Sequence, residues 1–146
     1  MRAKKYLSKF GWYEDKIQRK LAEVYRNRVL AENITVAFGG DRVQTSGTGD
    51  RISGLVAAIV DTESDVADLL QEFREFSSVA LAQLEGLCLL GESGMAQYKV
   101  LHARFVERQI FEDIAESLNY SERQVYSIYK DGLKLFEELY LYEGSD

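Results

Sequence analysis

The chain has 146 residues, no proline, one cysteine, one histidine and a formal net charge of −6. Its length suits one domain or a compact pair of helical subdomains. A lone cysteine excludes an internal disulfide, and one cysteine with one histidine excludes a structural zinc site built from those residues.

With no proline, nothing forces φ or removes a backbone donor, so long helices are permitted. No apolar run reaches the roughly 18–20 residues of a membrane span. The opening Met1–Tyr6 is basic but leads into polar sequence rather than an apolar signal core, so the expected location is the cytoplasm. Charge is unevenly spread: residues 1–28 balance at +6, residues 50–96 at −7 and residues 95–134 at zero. Affinity for a polyanion follows local contacts rather than the global sum. The acidic total therefore leaves room for a basic arm.

In chain order, Phe10, Tyr13, Ile17, Leu21 and Val24 recur at three or four residues and predict a helix over about 5–32, ending before Ala37. The stretch Asp41–Asp50 is rich in Gly, Ser and Thr and reads as a loop, taken with Gly39 and Gly40 as 39–50. It lacks the spacing and the lysine of a nucleotide-binding loop; Ser46 or Asp50 is expected to help cap the next helix. That helix, from Ile52 through Leu55, Ile59, Val66 and Leu69 to Leu87, is expected over about 52–90. Two long amphipathic helices joined by a loop bury their stripes by pairing antiparallel. Cys88 reads as a buried free thiol, and His102 as a packing or surface residue.

Gly91–Gly94 is expected to break the chain before a third helix over about 95–107 carrying Tyr98, Leu101 and Phe105. The segment Ile110–Lys130 then has the pattern of a helix-turn-helix. Ala115 is the small residue where two helices cross. Ile114, Leu118, Tyr120, Val125 and Ile128 stand at core positions, and Asn119 suits a left-handed turn four residues after the alanine. Ser121 with Gln124 three residues on forms a capping box for the second helix. Gln109 stands at the cap of the first helix, where Ser or Thr is usual, at a cost of roughly 1 kcal/mol.

A helix of this kind enters the major groove of double-stranded DNA with its N-terminal turns. The residues it does not spend on the core are Ser121, Glu122, Arg123, Tyr126, Ser127 and Lys130. Arg123 suits guanine, Glu122 suits cytosine N4, and the others suit phosphate or sugar. Lys4, Lys5 and Lys9 are candidate DNA-backbone contacts. The C-terminal Leu133, Leu135, Phe136, Leu139, Tyr140, Leu141 and Tyr142 are expected to pack on the helical hairpin, or else to form a homodimer interface.

The segment Tyr98–Leu139, with Glu112-Asp-Ile-Ala-Glu-Ser-Leu-Asn-Tyr-Ser-Glu-Arg-Gln-Val-Tyr126 at its centre, resembles region four of sigma factors. The whole chain, with Tyr6-Leu-Ser-Lys-Phe10 and Asp41-Arg-Val-Gln-Thr-Ser46, is similar to small prophage proteins of Gram-positive bacteria related to the RinA and ArpU late-gene regulators. The resemblance implies binding to promoter DNA in the bacterial host cell, alongside RNA polymerase or a sigma factor.

The expectation is thus an all-α chain, with a long antiparallel hairpin over 1–92 and a three-helix helix-turn-helix domain over 95–146, acting as a phage-type transcription regulator. Two other functions fit the same elements: a protein-interaction module for RNA polymerase, a sigma factor or another phage protein, and a DNA-packaging adaptor of the small-terminase type. No acid/base pair, metal set or nucleophile stands out in the sequence, so no catalytic residue, cofactor or metal is expected.

Overall fold

The computed structural model describes residues 1–38 and 46–142, with side chains at 1–34 and 49–142. All regular structure among the described residues is helical. Helix α1 spans Arg2–Leu7 and α2 Lys9–Phe38, with Ser8 between them in a right-handed helical conformation. The Ser8 hydroxyl donates to the Lys4 carbonyl at 2.6 Å. The helix expected over 5–32 therefore extends at both ends and runs on through Ala37 and Phe38, since no residue in Glu32–Phe38 is a strong breaker.

Helix α3 spans Ser46–Gly86 and closes in a 3₁₀ turn, Leu87–Leu90. Residues 46–50, expected to be loop, are its first turn; the rest of the expected loop, 39–45, lies outside the described residues. Helix α4, Glu92–Leu101, follows Gly91, whose φ of 92° makes the break. The break is this single residue rather than 91–94, because Gly94 is buried inside α4, where a Cβ would run into the Leu87 carbonyl oxygen. Helix α4 passes into a π-turn, His102–Val106. Then come α5, Phe111–Leu118, and α6, Glu122–Tyr140.

The chain forms two compact units: residues 1–12 with 73–146, and residues 13–72. In the first, Leu7, Leu84, Leu87, Leu101, Ile114 and Phe136 have no solvent exposure. Gly132 lets α4 and α6 approach closely: a Cβ there would lie 3.2 Å from both Gln97 Cβ and Leu101 Cδ1. The C-terminal aromatic stretch is drawn partly into this core: Phe136 stacks near Tyr6 at 5.8 Å and Tyr140 at 5.0 Å, while Leu139 and Tyr142 stay exposed. Helix α1 is tied to the end of α6. Arg2 Nη1 donates to the Leu141 carbonyl at 2.8 Å, and the Ala3 N–H donates to Glu137 Oε2 at 3.2 Å.

In the second unit the buried apolar side chains are Ile17 and Val24 of α2 and Val66 and Leu69 of α3. Thr62 is buried beside them and donates its hydroxyl to the Ala58 carbonyl at 2.8 Å. Lys20 pairs with Asp65 at 3.8 Å, and Arg28 pairs with Glu63. No helix among the described residues is long and apolar enough to cross a membrane.

Candidate nucleic-acid interface

The turn between α5 and α6 follows directly from local chemistry. Helix α5 ends at Asn119 in the left-handed conformation, φ 58° and ψ 39°, and the Asn119 and Tyr120 amides close back on the last turn. Asparagine tolerates that conformation because its short polar side chain hydrogen-bonds locally. Ser121 is extended and caps α6: its hydroxyl accepts from the Gln124 N–H at 3.1 Å, and its own N–H donates to Gln124 Oε1 at 2.9 Å. This satisfies two amides that the helix start would otherwise leave open. Ala115 is buried where α5 packs on α6, alongside fully buried Ile114 and Val125.

The core assignment fails at one position. Tyr120 is exposed, while Phe105 and Tyr129 are buried in the core with Phe111 packed against it. The cap of α5 is Ile110 rather than Gln109; no side chain caps it. Instead the connection is held from outside the helix, because Arg104 donates to the Gln109 carbonyl at 3.0 Å and lies 4.4 Å over the Phe111 ring.

Ser121, Glu122, Arg123, Tyr126, Ser127 and Lys130 are all exposed on the first turns of α6. Tyr126 is fixed edge-on to Phe111 at 5.9 Å, and Lys130 Nζ lies 5.6 Å from the Tyr126 ring. The phenol beneath, Tyr129, is pushed up in pKa by burial; Arg104 opposes that shift and Tyr126 adds to it. Tyr129 therefore stays a neutral packing residue. The residue that sequence reasoning passed over is Lys134. It is exposed, one turn beyond Lys130, and continues the row Arg123–Ser127–Lys130. Arg104 was also missed, since its role depends on a ring that lies seven residues further on and is brought close by the π-turn.

Lys4, Lys5 and Lys9 are exposed too, but belong to the other end of the assembly. Helix α1 is anchored at Glu137 and Leu141, and Glu137 is roughly 24 Å along α6 from Ser121 at 1.5 Å per residue. With Arg2, Tyr6 and Leu141, Lys5 and Lys9 line a shallow cavity of about 290 Å³. Lys9 Nζ sits 5.6 Å from the Tyr6 ring and 5.8 Å from Phe76. The acids Glu112, Asp113 and Glu116 of α5 are exposed. Cys88 is half-buried rather than fully buried, and His102 is half-buried with Nδ1 4.0 Å from Glu107. No protein-family model matches the chain, and no curated protein or solved structure is significantly similar to it.

Proposed function

We propose that α5 and α6 form a DNA-reading helix-turn-helix, that α2 and α3 pair as an antiparallel hairpin, and that the chain is a sequence-specific transcription regulator of the phage type. One observation carries the reading. Asn119, Ser121 and Ala115 set the first turns of α6 on the core by one face, and apart from Ser121 and Gln124, which close the cap on each other, the polar side chains of the other face, Glu122, Arg123, Ser127 and Lys130 with Tyr126, are exposed. Arg123 and Lys130 supply the charge, Arg123 with the fork geometry that matches guanine O6 and N7. Lys134 adds a phosphate contact further along. Lys4, Lys5 and Lys9, carried by a segment tied to the Glu137–Leu141 end of α6, serve a separate stretch of backbone.

The test is fluorescence anisotropy of the purified chain against tiled duplex fragments of the genome that encodes it, across a salt series. The expected result is tight binding to one fragment, with log affinity falling linearly with log salt. Arg123→Ala should cost about 1–3 kcal/mol and relax sequence preference, whereas Lys134→Ala should weaken all fragments alike and lower the salt slope by about one. Equal, weak binding to every fragment at low salt would overturn the reading. It would turn attention to the acidic face of α5, Glu112, Asp113 and Glu116, as a surface for a protein partner such as RNA polymerase.

A further inference from the structure

In a chain of net charge −6, residues 1–12 carry Arg2, Lys4, Lys5 and Lys9 and no acid. Ser8 keeps a right-handed helical conformation, so the backbone winds on from α1 into α2. At about 100° per residue, Arg2, Lys5 and Lys9 fall within an arc of roughly 60°, and Lys4 stands about 100° from Lys5 on the other side. The three line the cavity of about 290 Å³ with Tyr6 and Leu141, a size at the small end of the range for ligand sites. None of its described lining residues is acidic, and neither Lys5 nor Lys9 pairs with a carboxylate among the described residues. Glu137, the acid that reaches α1, accepts from the Ala3 N–H. The Tyr6 hydroxyl donates to Gln83 Oε1 at 2.8 Å, and burial pushes its pKa up, so the phenol stays neutral and gives the cavity no counter-charge. Two of the cations are also held in place, Arg2 by the Leu141 carbonyl and Lys9 over the Tyr6 and Phe76 rings.

We infer that Arg2, Lys5 and Lys9 seat one phosphate group in this cavity. Like charges gathered on one wall repel, and an anion among them turns that repulsion into attraction. A carboxylate offers two oxygens in one plane, which a single guanidinium fork satisfies. A phosphate group spreads its charge over a tetrahedron of oxygens, so one fork and two point charges can engage it from different sides. The group has two sources, a phosphodiester of the DNA backbone or a free phosphate or phosphate ester. The inference narrows the role given above to the N-terminal lysines and leaves Lys4 out of it. It rests on the DNA reading only where the backbone is the source.

Titration calorimetry of the full chain with inorganic phosphate, chloride adjusted to hold the ionic strength, should show one saturable site per chain. Lys5→Gln with Lys9→Gln should weaken it by about tenfold or more, whereas Lys4→Gln should leave it unchanged. Lys5→Arg with Lys9→Arg, which keeps both charges, should retain it. No saturable heat at low salt, or equal affinity in the Lys4 variant and the Lys5, Lys9 glutamine pair, would overturn the proposal. Anisotropy with duplex DNA then identifies the source. If phosphate displaces the duplex and the glutamine pair lowers the salt slope by about two, the backbone fills the site. If the duplex stays bound while the phosphate heat persists, a free phosphate fills it. A chain that binds phosphate here and no DNA sinks the reading by α6 alone.

Discussion

The nine largest side chains with essentially no exposure, among them Phe10, Leu84, Ile114 and Phe136, all belong to residues 1–12 and 73–142. In residues 13–72 burial stops short of completion: Thr62 at 5%, Ile17 at 7%, and Val24, Val66 and Leu69 at 8%. The same two long helices run through both units, so helix propensity is not what separates them. The difference is the number of helices available to close the core. In the first unit α1, α4, α5 and α6 supply facing surfaces to the ends of α2 and α3. In the second, the buried side chains among the described residues come from α2 and α3 alone. The surface proposed to read DNA thus stands on a filled core, whereas residues 13–72 hold an underfilled one.

The sharpest way to break this contrast is truncation on each side of it. Phe136→Ala removes a fully buried ring packed against Tyr6 and Tyr140 and should cost about 3–5 kcal/mol in urea denaturation. Leu69→Ala opens a site already 8% exposed and should fall near the low end of the range for leucine, about 2 kcal/mol. Equal costs would mean that the second unit is as tightly closed as the first.

Backbone approach gives the next largest effect. Gly94→Ala places a Cβ against the Leu87 carbonyl and against Leu90 Cβ at 3.0 Å. A backbone oxygen cannot swing away as a side chain can, so the α4 start must shift, at a cost of about 1–3 kcal/mol. A thermal midpoint unchanged from wild type would show that the 3₁₀ turn before α4 is looser than the close contact implies.

Features set by neighbours in sequence were legible. Asn119 in the left-handed turn, Ser121 with Gln124 as a capping box, and Ala115 at the crossing are each decided by chemistry within five residues. Features set by packing were not. The periodicity of Tyr98–Phe105 looked like one regular helix, yet the chain widens into a π-turn at His102–Val106 and then takes Arg108 to φ 58°. This brings Arg104 to Phe111, a contact no spacing rule would propose. Gly94 read as part of a break because glycine is a weak helix former; its actual reason is the carbonyl beside it. Tyr120 fitted the core pattern by offset alone, yet it is exposed, and the aromatic cluster of the core is Phe105, Phe111 and Tyr129.

Smaller again is the cap. Ser121→Ala removes the acceptor for the Gln124 N–H and should lower stability by about 1 kcal/mol. Ser121→Gly, which keeps the extended geometry, should cost only a few tenths of a kcal/mol. Because the same residue opens the proposed reading face, anisotropy on the preferred fragment should fall more for Ser121→Ala than the stability change alone accounts for. Loss of stability without loss of affinity would separate the cap from recognition.

The smallest expected effect has the opposite sign and comes from the second unit. Gly54 sits inside α3, exposed, and a Cβ there meets nothing within 4 Å. Glycine inside a helix is destabilising relative to alanine by roughly 0.5–1 kcal/mol, because the unfolded chain has more freedom to lose. Gly54→Ala should therefore raise stability by about that amount, where Gly94→Ala lowers it. The same substitution in the same type of helix then reports opposite surroundings, open in one unit and closed in the other. If Gly54→Ala were instead destabilising, the α3 backbone near residue 54 would have to be approached more closely in solution than the open space around its Cβ position implies.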